Sequence, residues 1–149
     1  MTEPEGDSWI VGMKSILFAL RVSDLDRSLA FYTTVGYVKL STVPFDDGSS
    51  LVWLRLPDEP SVSLELVHRP TDGPVEIHGF EHFAIEVESL TDTIERLTAA
   101  GVQPGEPELP GGPDGPKTSW LVDPDGYRIE LVEWPSSGPP VPEEGLRDG

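Results

Sequence analysis

Cysteine is absent from the 149 residues. That excludes disulfides, thiolate metal sites and cysteine nucleophiles, and it fits a reducing compartment. No apolar run approaches the roughly 20 residues of a membrane span, and no apolar signal segment opens the sequence. The expectation is a cytoplasmic protein without a membrane partner. Basic residues are scarce: ten Lys and Arg stand against 27 Asp and Glu, a formal charge of −17. That field repels phosphates, so nucleic acid is not an expected partner. It attracts cations and metal ions, although a solvated acidic surface accounts for it equally well. Histidine occurs three times, which leaves few candidates for imidazole chemistry.

Proline and glycine are plentiful, with 16 and 15 residues, and they punctuate many turns. The clearest stretch runs from Trp120 to Glu133. Asp123-Pro124-Asp125-Gly126 has turn chemistry, proline presetting φ and glycine taking the positive-φ position. Beyond it the residues alternate, which puts Tyr127, Ile129 and Leu131 on one face and Arg128, Glu130 and Val132 on the other. A carboxylate in mid-strand facing a cavity needs a proton, a partner or a metal.

The same pattern appears 65 residues earlier, where Glu65 corresponds to Glu130. In that register Phe18-Ala19-Leu20 falls on Phe83-Ala84-Ile85, Leu25 on Leu90, Gly36 on Gly101 and Leu56 on Leu121. Hydrophobic alternation can align with itself by accident, but it does not also align glycines, turns and glutamates. The sequence therefore reads as a tandem duplication. Strands are expected over 15–22, 37–43, 51–56 and 62–68, with a helix from Leu25 to Gly36 entered through Ser23-Asp24. The second copy repeats the order, with strands over 80–87, 102–108, 117–122 and 127–133 and a helix over 90–100. The boundaries are an N-terminal extension 1–14, a first β-α-β-β-β module 15–70, a linker 71–79, a second module 80–134 and a proline-rich tail 135–149, extended or disordered. Residues 104–116 hold five prolines and four glycines, so they form an edge or a flap rather than a central strand. The fold class is α+β, two tandem modules whose curved mixed sheets enclose a cavity.

Alternation places Leu17, Ala19 and Arg21 on the inward face of the first strand and His82, Ala84 and Glu86 on that of its repeat. The last strands add Glu65 and Glu130. If the modules pair about a pseudo-two-fold axis, these faces converge. Glu65, His82 and Glu130 are then metal-ligand types at three of four related positions, suited to zinc, nickel, cobalt, manganese or iron. Taken singly each has a plainer reading: Glu65 as a partner of Arg21 or Arg128, His82 as a hydrogen-bonded cavity residue, Glu130 as a remnant. His68 and His78 read as surface residues. Trp53, Trp120, Leu17, Arg21 and Arg128 are the candidate walls of a ligand pocket.

The duplicated module, Arg21-Val22-Ser23-Asp24-Leu25, Phe31-Tyr32, Glu81-His82-Phe83-Ala84 and the stretch from Asp123 to Glu130 together resemble the glyoxalase / bleomycin-resistance / extradiol-dioxygenase superfamily, also called vicinal oxygen chelate. The resemblance covers residues 15–134. It implies paired modules around a metal or ligand cavity, a homodimer and a small-molecule partner. In the glyoxalase I type the ligands come from the first and last strand of each module, positions that Glu65, His82 and Glu130 match. The fourth is Leu17, which cannot ligate. Two functions are implied. One is a metal-dependent lyase or isomerase in which Glu65 or Glu130 is the proton-transfer base. The other is a metal-free protein that sequesters an antibiotic or another toxic small molecule.

Overall fold

The structure, a computed structural model, describes residues 12–142. The expected strands near 37–43, 51–56, 117–122 and 127–133 are present to within a residue or two at each end. The first module contains β1 (Phe18–Arg21), α1 (Leu25–Val35), β2 (Val38–Pro44), β3 (Ser50–Arg55) and β4 (Leu64–His68). The second contains β5 (Phe83–Glu86), α2 (Leu90–Ala99), β6 (Lys117–Val122) and β7 (Arg128–Glu133). The sheet orders are β1-β4-β3-β2 and β5-β7-β6. In each the first strand runs parallel to the last, and the register repeats: Ala19 pairs with Glu65 and Ala84 with Glu130.

Two expectations need correcting at the strand ends. β1 and β5 are shorter than the sequence suggests, so Leu17 and His82 each lie one residue before their strand. The second sheet also lacks a full fourth strand. Glu108 makes a single bridge to Thr118, because the prolines around it remove ladder donors. The sheets are therefore open, four strands and three, and do not close into a barrel. The N-terminal extension up to Val11 and the tail from residue 143 lie outside the described residues.

Each helix is started by a side-chain cap. Asp24 accepts from the Arg27 amide at 3.0 Å, and Ser89 from the Asp92 amide at 3.2 Å, caps worth about 1 kcal/mol each. Apolar positions at helical spacing then bury one stripe on the sheet, Tyr32 and Val35 in α1 and Leu90 and Leu97 in α2. Leu64, Leu66, Ile129 and Leu131 of the last strands meet them from below. Each fully buried aliphatic side chain contributes roughly 1.5–3 kcal/mol.

The modules meet through Phe18 and Phe83, whose rings stand 4.4 Å apart, and through the turn after β6. There Asp123 Oδ1 accepts from the amides of Asp125 and Tyr127 at 2.8 and 2.9 Å. Its Oδ2 accepts from the buried Tyr32 hydroxyl of the other module at 2.6 Å. Asp125 takes the amide and hydroxyl of Ser23 beside the first turn of α1, where the helix dipole favours a carboxylate. The Tyr127 hydroxyl donates to the Arg21 carbonyl at 2.9 Å.

Candidate functional site

The alternation that buries Leu64 and Leu66 turns Glu65 to the open face of the first sheet, and the one that buries Ile129 and Leu131 does the same for Glu130. Each glutamate sits in the same frame. Glu65 is flanked across the sheet by Ala19 and Trp53, Glu130 by Ala84 and Trp120. The small alanine leaves one side clear, and the indole walls the other.

The two half-sites differ in their contacts. Trp53 Nε1 donates to Glu65 Oε1 at 2.7 Å. On the second sheet, His82 Nε2 lies 3.6 Å from Glu130 Oε1, and its ring stands edge-on to Trp120 at 4.8 Å. Arg128 lies over the Trp120 ring, 4.1 Å from the centroid, a cation–π contact. The same guanidinium donates to Glu81 Oε1 at 2.8 Å, and that oxygen is 3.4 Å from His82 Nδ1. Glu81 was not among the residues picked from the sequence. Its place directly before His82 and one strand away from Arg128 was the available signal.

The structure brings His82, Glu130, Trp120 and Arg128 together and does not gather Glu65 with them. Among the described residues no three His, Asp or Glu side chains are close enough to hold a metal ion. The cause is the edge-to-edge junction through Phe18 and Phe83 and the Asp123 turn, which leaves the two open faces apart. One chain thus offers the His82–Glu130 pair and, separately, Glu65. A hollow of about 310 Å³ beside Glu65 is walled by Phe45, Leu51, Val67 and Arg69.

The remaining candidates are spread out. Arg21 reaches back to the linker, donating to the carbonyls of Gly73 and Pro74 at 3.3 and 2.7 Å, with Asp72 at 3.8 Å. Leu17 is 37% exposed, as is Trp53. His78 stands on the surface 3.8 Å from Glu76, and His68 ends β4. No helix among the described residues is long and apolar enough to cross a membrane.

Two open sheets of this topology, each presenting a glutamate from its last strand between an alanine and a tryptophan, define a paired-module α+β protein. The chain belongs to the Glyoxalase/Bleomycin resistance protein/Dioxygenase superfamily, whose family model matches residues 14–131. It is 31% identical over 133 residues to a lactoylglutathione lyase of Salmonella typhimurium, covering 85% of this chain and 96% of that one. A lactoylglutathione lyase of Arabidopsis thaliana is 30% identical over 133 residues, 87% of this chain and 47% of its own length. The chain thus spans less than half of that plant relative. Among solved structures, the trypanothione-dependent glyoxalase I of Leishmania major superposes with a TM-score of 0.68 at 29% identity, covering 82% of this chain and 87% of that one. An antibiotic binding protein from Streptomyces sp. CB03234 superposes with a TM-score of 0.62 over 83% of this chain and 98% of its own, at 21% identity, and shares the fold.

Proposed function

We propose that the chain is a glyoxalase-type lyase or isomerase of a small carbonyl-bearing molecule. It works as a homodimer in which the Glu65 face of one chain covers the His82–Glu130 face of another. The observation that carries this reading is the matched frame of the two glutamates, each half-buried on an open sheet face between an alanine and a tryptophan. Two such faces laid together enclose a cavity that neither encloses alone. A divalent ion held there by Glu65, His82 and Glu130 would polarise a carbonyl oxygen of the substrate. Glu130 or Glu65 moves the substrate's proton, a role that contributes about 10²–10⁴-fold in rate. His82 is held by Glu81 at its Nδ1 side and by the edge of Trp120. Trp53 and Trp120 exclude water from the cavity, and Arg128, stacked on Trp120, faces the substrate's oxygens. The lactoylglutathione lyases among the relatives support the lyase class.

One observation favours a second reading, in which the protein sequesters its ligand without chemistry. Leu17 stands where a fourth ligand would be, and a single chain gathers only two donors. Metal analysis of protein purified without chelators, with sedimentation at micromolar concentration, separates the two. The enzyme reading expects a dimer carrying about one metal ion per site, with Leu17→His binding zinc, nickel or manganese more tightly than wild type. A monomer, with no metal bound by wild type or by Leu17→His, leaves sequestration.

A further inference from the structure

The 65-residue offset relates two junctions between the modules, and they are filled differently. One is closed by the turn of residues 123–127, where Tyr32, Tyr127 and Asp125 cross the gap. At the other the same positions are Leu97, Val62 and Pro60. None of these carries a polar group, and the modules are bridged here instead by Arg96 of α2, bonded to carbonyls at the end of α1. Glu59 instead organises its own turn, accepting from the Leu56 amide at 2.7 Å and the Ser63 hydroxyl at 2.5 Å. What is left is a cleft of about 670 Å³ between Phe18 and Leu56 on one side and Ile85 and Leu131 on the other, a size typical of small-molecule sites.

A second observation concerns Tyr37, which lines this cleft and is only 4% exposed. Tyr32 is the contrast: its ring stacks edge-on to Tyr37 at 5.7 Å, and its hydroxyl is bonded to Asp123. The Tyr37 hydroxyl has no hydrogen-bond partner among the described residues. With no partner of its own, the hydroxyl oxygen is not sealed off from the cleft, so a ligand with an oxygen or nitrogen at that point can bond to it. The charges at the rim define the ligand further. Asp58, Glu59 and Glu86 are carboxylates, and Glu86 keeps its place through Trp134 Nε1 at 2.8 Å. The one cation among the described residues that line it, Arg96, is committed to the carbonyls of Thr34 and Val35 at 2.9 and 2.6 Å. The cleft therefore has apolar walls, a phenol inside and a net negative rim.

We propose that this cleft is a second binding site, lined by neither Glu65 nor the His82–Glu130 pair, for a small molecule with an apolar or aromatic body and a protonated amine. The apolar body lies between Phe18 and Leu131, the ammonium meets Glu86 and Glu59, and Tyr37 contributes a directional hydrogen bond. The site requires neither a metal nor the pairing of Glu65 with Glu130.

Calorimetric titration with 2-phenylethylamine, and in parallel with 3-phenylpropionate, tests it. The expected result is one amine bound per chain and at least tenfold weaker binding of the carboxylate. Tyr37→Phe should weaken amine binding about fivefold, the equivalent of about 1 kcal/mol for one hydrogen bond. Glu86→Gln should weaken it and flatten its salt dependence. Thr93→Trp, which fills the cleft from α2, should abolish binding; Ser63→Trp fills it from the opposite wall and serves if the first variant does not fold. Glu65→Gln should leave amine binding unchanged. No amine binding, equal binding of the carboxylate, or binding that survives a folded cleft-filling variant overturns the proposal. Loss of amine binding in Glu65→Gln overturns it too, and places the amine on the open faces instead.

Discussion

The two inter-module turns occupy equivalent places in a duplicated fold and have taken opposite roles. The turn of residues 123–127 is a fastener. Its two carboxylates and its tyrosine all bond to the first module. The turn of residues 57–63 is bonded within its own module, and it faces an open cleft. The parallel register beside the two turns is the same, but the turns differ in length as well as in side chains: β3 ends at Arg55 and β4 starts at Leu64, whereas β6 ends at Val122 and β7 starts at Arg128. One junction is held by the bonds of its turn, and the other is bridged by Arg96 and leaves a cavity beside it.

The largest effect is expected from removing the fastener's centre. Tyr32 is fully buried against Phe31, Tyr37 and Phe83, so Tyr32→Ala should destabilise by about 3–5 kcal/mol, as other buried aromatic truncations do. Urea unfolding measures this, and a loss below about 1 kcal/mol would show that the junction is not fastened there. Tyr32→Phe isolates the hydroxyl. It leaves Asp123 Oδ2 buried without its donor, at a cost of about 1–3 kcal/mol.

Asp123→Asn probes the charge. Burial is the largest influence on this carboxyl and holds its pKa above the usual carboxylate range, while the Tyr32 hydroxyl and the turn amides pull the other way. A group whose folded pKa is raised gives its full stability below the unfolded pKa, about 4. That contribution is lost as pH rises through the folded value. Melting temperature should therefore fall more for wild type than for Asp123→Asn as pH rises from about 4 towards neutrality; parallel profiles would refute the assignment. The Tyr32 phenol, pushed up by burial and then by Asp123, stays protonated throughout.

The smallest effect sharpens the comparison. Tyr37 is as buried as the fastener's tyrosine, yet its hydroxyl bonds to nothing described. Tyr37→Phe should change stability by no more than about 0.5 kcal/mol. If it costs as much as Tyr32→Phe, the two junctions are not as different as their contacts indicate.

Much of this was legible in the residues. The repeat gave the order of elements and put Glu65 and Glu130 on the face opposite the helices, because a period of two allows no compromise in register. The prolines of residues 104–116 announced a broken edge. What escaped was whatever depends on how the modules dock. Arg21 shares the face of Ala19, but nothing local shows that the linker carbonyls will fold back on it. The separation of Glu65 from His82 depends on Phe18 meeting Phe83, a contact between strands of different sheets. Tyr32 and Asp123, 91 residues apart, read as an ordinary helix residue and an ordinary turn residue until the fold brings them together.

The concentration of those distant contacts in one turn has a kinetic consequence. The hydrogen bonds that bridge α1 or β1 to the turn at 123–127 span 91 to 106 residues, whereas Phe18–Leu64 and Phe83–Ile129 close equal, shorter lengths of chain. Closure entropy grows only with the logarithm of loop length, so each module assembles around its own parallel pair and docking follows as a late event. During synthesis the first module is finished well before residue 127 emerges. β1 stays an edge strand in the folded chain, but in that interval it also lacks the cover of the second module, and the chain is then most exposed to pairing with another copy of itself.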